Sequence, residues 1–191
     1  AYNPTTLSAG GAPKSWADLA DPKYRGKIGL QDATAGLMFL QWFVLRETVG
    51  ADFWPKIAAN QPVIFTGSAP IVEATLRGEI LVNANSVSYF DWSYGIRDGA
   101  PYKAVIPAEG VPAALNPIAV LKDAPHPNAA RLFVDWVLSR EGQKIMVEEL
   151  GDYSPRNDID APKGSPKLAD VKTLVPSSLE ALVAAKDDFA K

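Results

Sequence analysis

Apolar and polar positions alternate along the first half of the chain in a strand–helix–strand–helix–strand order. Residues 27–31 read as a short strand, and the apolar-periodic run at residues 37–49 reads as a buried helix stopped by Gly50. Residues 51–60, carrying Phe53, Trp54 and Ile57, predict a second helix. Residues 62–65 predict a strand, Thr66-Gly67-Ser68 a turn, residues 70–76 a helix ended by Gly78, and residues 80–84 a third strand. This alternation implies an α/β layer with largely parallel strands. Ahead of it, residues 1–14 hold Pro4, Gly10, Gly11 and Pro13 and read as a loop-like lead-in. Ser15, with Asp18 three positions on, has the spacing of a capping box that opens a short helix.

The second half has a different pattern. Gly99-Ala100-Pro101 is a turn, residues 102–106 predict a strand, and residues 111–121 predict another, interrupted by Asn116-Pro117. Residues 128–138 form an amphipathic pattern with Ala130, Phe133, Val134 and Val137 on one face. Ser139 is placed to cap a further helix running to Leu150. Residues 151–167, rich in Pro, Gly and Asp, read as a long loop, and residues 176–189 as a closing helix with Leu179, Leu182, Val183 and Phe189 at helical spacing.

Composition narrows the chemistry. The 191 residues contain no cysteine and one histidine, so thiolate metal sites, disulfides and Cys nucleophiles are excluded and His-rich zinc sites nearly so. A net charge of -3 without a Lys/Arg stripe argues against a nucleic-acid partner. No apolar run is long enough for a membrane span. His126 stands between Pro125 and Pro127, a poor setting for a general base that needs an orienting partner. The phosphate-loop, dinucleotide and nucleophile-elbow glycine motifs are all absent. An enzyme reading therefore has no candidate machinery, and no cofactor or metal site is expected.

Two segments share one design for binding. Leu30 leads into Thr34, Ala35 and Gly36, and Phe65 leads into Thr66, Gly67 and Ser68; each is a strand, then small and hydroxyl residues, then a helix. Such turns lie at the carboxyl ends of parallel strands, where ligands bind, and a helix start offers unpaired N–H groups to an anion. The competing role of Thr34 and Ser68 is helix capping alone. A third candidate is the polar-aromatic cluster after residues 80–84: Asn83, Asn85, Ser86, Ser88, Tyr89, Asp91, Trp92 and Tyr94. There Phe90 and Trp92 are expected in the core, while Ser86 and Tyr89 are the ligand candidates.

The residues resemble a known family. Pro13-Lys14-Ser15-Trp16-Ala17-Asp18-Leu19 followed by Asp21-Pro22-Lys23-Tyr24-Arg25-Gly26-Lys27-Ile28 is similar to extracellular solute-binding proteins of the ferric-iron-binding-protein class. So are Arg77-Gly78-Glu79, Pro107-Ala108-Glu109-Gly110-Val111-Pro112, and Asn128-Ala129-Ala130-Arg131-Leu132-Phe133 leading to Leu138-Ser139-Arg140-Glu141-Gly142-Gln143. The resemblance implies a type II periplasmic binding fold, in which two α/β lobes joined by crossover strands hold ligand in a cleft. It implies that Tyr2-Asn3 lies on the first crossover, that residues 1–108 form the second lobe, that residues 109–155 return to the first lobe, and that residues 156–191 rejoin the second. The opening half of the first lobe is then expected to be absent from this chain. In that case either the apolar surface of residues 111–138 is expected to drive self-association, or residues 109–155 are expected to rearrange against the second lobe.

The implied function is the substrate-binding component of an ABC importer, a periplasmic non-enzyme whose partners are a small anionic or organic solute and a membrane permease. Iron-binding members use two adjacent tyrosines as hard oxygen donors. The matching stretch here is Ser88-Tyr89-Phe90, which loses one of them and makes ferric iron, held through Tyr89, the alternative. The turn that cradles an anion in those members resembles Thr34-Ala35-Gly36-Leu37. An enzyme or sensor module reusing the fold is the alternative of another class.

Overall fold

A computed structural model describes residues 1–33 and 36–189. The chain divides into two compact units, Ala1–Ala114 with Val171–Lys191, and Leu115–Asp170.

The first unit is built on a three-stranded parallel sheet of β1 (Ile28–Gln31), β2 (Val63–Phe65) and β3 (Val82–Asn83), in the order β2-β1-β3. The register pairs Gly29 with Val63 and Asn83, and Gln31 with Phe65. Ile28, Gly29 and Leu30 of the central strand are all buried, as a strand covered on both faces requires. Strand alternation sends Ile28 and Leu30 into a core with Tyr24, Val44, Leu45, Phe53 and Ile57, which come from the helical turn Pro22–Tyr24, α1 (Gly36–Val49) and α2 (Phe53–Ala59). Gly29 faces the other way. A Cβ there would collide with Ile80 Cδ1 and stand 2.8 Å from Ile71 Cγ2, so the bare backbone is what lets α3 (Ser68–Leu76) lie close on the sheet. Ile71, Ala74 and Ile80 form that second, smaller core with Phe65.

The expected capping box is present. Ser15 Oγ accepts from the Asp18 N–H at 3.1 Å, and Asp18 Oδ2 accepts from the N–H groups of Ser15 at 3.1 Å and Lys14 at 2.7 Å. These bonds hold the charged form of Asp18 and lower its pKa, the Lys14 amide contributing most.

Residues 80–84 contribute only β3 (Val82–Asn83), and two predicted strands of the second half also do not form at their expected length. Residues 102–106 contribute one antiparallel bridge, Lys103 with Tyr2, whose N–H groups each donate to the other's carbonyl at 2.9 and 2.8 Å. Residues 111–121 contribute only β4 (Val111–Pro112), paired in parallel with β5 (Thr173–Leu174). Beyond Ala113 no strand lies alongside among the described residues, Pro117 has no N–H to offer, and Leu115 and Leu121 are exposed. Apolar sequence alone does not make a strand; a hydrogen-bonding neighbour does.

α4 (Ser88–Phe90) continues into a π-helical turn, Asp91–Arg97. The second unit holds α5 (Pro127–Leu138) and α6 (Arg140–Leu150), joined at Ser139. Ser139 Oγ accepts from the Gly142 N–H at 3.2 Å, as expected of a cap, and Gly151 ends α6 in the left-handed region at φ 69°. On α5, Ala130, Val134 and Val137 are half-buried, whereas Phe133, assigned to the same face by the pattern, is exposed. The closing helix of residues 176–189 is two pieces, α7 (Leu179–Ala184), capped by Ser178, and α8 (Lys186–Phe189). The break at Ala185 turns Phe189 onto α1, where its ring lies 5.2 Å from Phe39 and 5.4 Å from Trp42.

Replacing Gly29 by Val forces a branched side chain between β1 and α3. It is expected to lower unfolding stability by about 1–3 kcal/mol, read by urea denaturation; an unchanged midpoint would show that α3 does not pack on β1 this closely.

Candidate binding site at the sheet edge

Parallel pairing brings the carboxyl ends of β2, β1 and β3 to one edge. The residues that follow each strand are tied together there. The Asp32 N–H donates to Phe65 O at 2.9 Å, and the Gln31 N–H donates to Asn85 Oδ1 at 2.7 Å. The Gln31 side-chain amide donates to Ser68 Oγ. Gln31 on the middle strand thus joins the turn after β2 to the segment after β3. Thr66, Gly67 and Ser68 stand on one side of it, and Asn85, Ser86 and Tyr89 on the other.

Ser68 does not act as the helix cap that its position suggested. Gly67 is the N-cap of α3 and makes no side-chain capping bond. The nearest atom to a Cβ at Gly67 would be Pro70 Cδ at 3.9 Å, and a Cβ at Gly36, the first residue of α1, would meet nothing within 4 Å among the described residues. Thr66 and Gly36 are exposed, and Gly67 and Ser68 half-buried. Small residues therefore leave the α3 start open to approach. Thr34 and Ala35, the other candidates of the first turn, lie outside the described residues.

On the β3 side, most of the polar cluster is spent internally. Asn85 donates through its side chain to Gln41 Oε1 and to Met38 Sδ at 3.4 Å, while Gln41 donates to Ala84 O at 2.7 Å. Asn83 Nδ2 donates to the Tyr102 hydroxyl at 2.8 Å, and the Tyr102 and Ser86 hydroxyls are 2.7 Å apart. Ser86 Oγ in turn donates to Asp91 Oδ1 at 2.5 Å. Burial pushes the Tyr102 phenol well above its ordinary range, and the nearby Asp91 charge adds to the effect. The Asp91 carboxyl is raised too, by burial, with the Ser86 hydrogen bond opposing.

Trp92 is in the core as expected. Phe90 is half-buried, its ring 5.0 Å from Tyr89 and 6.0 Å from Tyr94. Tyr89 is exposed at the start of α4, next along the chain from Ser86 and Val87 on the β3 side. Gly95 is required by the turn that follows, since a Cβ there would collide with the Tyr102 carbonyl. Among the described residues, no group of three or more His, Cys, Asp or Glu could hold a metal ion, and no helix is long and apolar enough to cross a membrane.

In open parallel α/β sheets the carboxyl edge of the strands is where ligands bind. The chain belongs to a family described as bacterial extracellular solute-binding protein, which it matches over residues 1–175. It is 31% identical over 140 residues to an uncharacterized protein of Haemophilus influenzae, covering 70% of this chain and 39% of that one. Among solved structures it is similar to iron-bound HitA of Pseudomonas aeruginosa, with a TM-score of 0.74 at 22% identity, covering 100% of this chain and 65% of that one. AfuA of Actinobacillus pleuropneumoniae, bound to fructose-6-phosphate, gives a TM-score of 0.74 at 24% identity, covering 85% and 53%. The fold is thus the type II periplasmic binding fold, in a family of solute-binding proteins rather than enzymes. The chain spans about two fifths of the length of the Haemophilus relative and under two thirds of each solved structure.

Sequence reasoning missed Gln31, Gln41 and Tyr102. Gln41 is a lone polar residue in an apolar run, Gln31 and Tyr102 stand at the ends of expected strands, and the partners are far away in sequence: Gln41 meets Asn85 across 44 positions.

Asp91→Asn keeps an acceptor for Ser86 and removes the buried charge. The folded carboxyl has a raised pKa, so it binds a proton more tightly than the unfolded one, and wild-type stability falls as pH rises above about 3.8 through the folded value. The variant lacks this loss. Its stability relative to wild type should therefore grow from acid to neutral pH in denaturant titrations; a difference independent of pH would contradict the assignment.

Proposed function

We propose that this chain contributes the binding surface of a periplasmic receptor that delivers a small anionic organic solute to the membrane permease of an ABC importer. The observation that carries the reading is the start of α3. It has no side-chain cap, it is flanked by small residues, and it stands at the carboxyl edge of a parallel sheet beside Gln31 and Ser68. Unpaired N–H groups and the positive end of the helix dipole favour a phosphate or carboxylate there. The fold shared with fructose-6-phosphate-bound AfuA supports an organic phosphate as the solute. Thr66, Gly67 and Ser68 would hold the anionic group, with the turn at Thr34, Ala35 and Gly36 as its counterpart on β1 and Tyr89 and Ser86 meeting the rest of the solute.

Ferric iron is the second reading, and the fold shared with iron-bound HitA favours it. Against it, the chain offers Tyr89 followed by Phe90, and a phenyl ring cannot donate to a metal.

Gly67 has an extended backbone at φ 179°, which any residue adopts, so Gly67→Val should fold normally. It should nevertheless weaken fructose 6-phosphate binding about tenfold or more by blocking approach to the α3 start, a loss of about 1.4 kcal/mol or more. Isothermal titration calorimetry checks this, and equal affinity in variant and wild type would assign the turn to structure alone.

A further inference from the structure

The hydrogen bonds around Ser86 have a direction that can be worked out from donor chemistry. The side-chain nitrogen of Asn83 can only donate, so the Tyr102 oxygen accepts from it at 2.8 Å. When Asp91 is ionised, the single proton of Ser86 is committed to Asp91 Oδ1 at 2.5 Å. The contact of 2.7 Å between the two hydroxyls must then run from Tyr102 to Ser86. The chain of bonds is Asn83 to Tyr102 to Ser86 to Asp91. Ser86 Oγ is left with one lone pair and no proton, beside a carboxylate that only accepts. Although serine is usually ambivalent, here it can offer a solute nothing but an acceptor.

This polarity is the opposite of that expected at the α3 start, where no side chain caps the first N–H groups. The two ends are separated by the middle strand, about 10 Å for two strand spacings, a span that one small solute can bridge. The β2 side suits an anionic group. The β3 side repels one and suits a group that carries a hydrogen to give. Both are half-buried rather than fully exposed, so a mismatched solute would leave Ser86 without a partner after desolvation.

We propose that Ser86, fixed as an acceptor by Asp91 and Tyr102, is a specificity-determining residue that selects anionic solutes bearing a hydroxyl or ammonium donor at the far end. The inference rests on the anion reading of the Thr66–Ser68 turn given above. Asp91 and Tyr102 act through Ser86 and are positioning residues.

Three probes separate the possibilities in calorimetric titrations of the full chain: glycerol 3-phosphate with hydroxyl donors, 2-aminoethyl phosphate with an ammonium, and propyl phosphate with neither. At least one of the first two should bind about tenfold or more tightly than propyl phosphate, and which one does so identifies the donor. That preference should vanish in Ser86→Ala and return in Ser86→Thr, which restores the hydroxyl. Equal affinities for all three phosphates in the wild type would overturn the role of Ser86 and leave the anion reading standing. So would a preference that survives in Ser86→Ala. Binding of none of the three would overturn the anion reading itself, and the inference with it.

Discussion

The parallel pairing of β1 with β2 on one side and β3 on the other is the constraint on which the rest depends. Because the three strands point the same way, the segments that leave them emerge at one edge. Antiparallel pairing would have scattered the same turns to both ends of the sheet. Parallel strands require crossovers, and α1 with α2 and then α3 supply them, which buries β1 on both faces. Gly29 marks where this geometry is tightest, since one crossover helix and Ile80 occupy the volume its side chain would need.

Gathering polar segments at a buried edge carries a cost. An unpaired buried polar group costs about 1–3 kcal/mol, so the edge is stable only if its side chains answer one another. Gln31, Gln41 and Asn85 do so on the inner side, linking α1 to the ends of β1 and β3. Asn83, Tyr102, Ser86 and Asp91 do so beyond β3. Satisfaction of these groups leaves most of the cluster with no free hydrogen-bonding capacity. What remains open is the start of α3, the one lone pair of Ser86 and the exposed face of Tyr89. The π-helical turn after α4 is the exception, for Trp92 Nε1 and Ser93 Oγ are buried there without a partner among the described residues.

Much of this fold was legible in the chain, for identifiable reasons. The strands and helices of residues 27–84 announce themselves because a continuous apolar run bounded by Gly, Pro and polar turns has few other solutions. Ser139 and the Ser15–Asp18 pair were readable because capping is local chemistry. The strands expected at residues 102–106 and 111–121 formed only as a bridge at Lys103 and as Val111–Pro112, because strand formation depends on a neighbour that local sequence does not contain. Phe133 failed similarly: its helical face is right, but burial requires something packed against it. At the proposed site, the uncapped turn at Gly67 was legible from its small residues. The orientation of Ser86 was not, since it is dictated by Tyr102 and Asn83 through contacts that only folding creates.

The central claim is that the carboxyl edge of this three-stranded sheet receives the solute. Titration of 15N-labelled protein with glycerol 3-phosphate, followed by amide chemical shifts, tests it most directly. The account predicts concentration-dependent shifts concentrated at Gln31, Gly67, Ser68, Ser86 and Tyr89, with α5 and α6 silent. Shifts confined to α5 and α6, with the sheet edge unmoved, would contradict it.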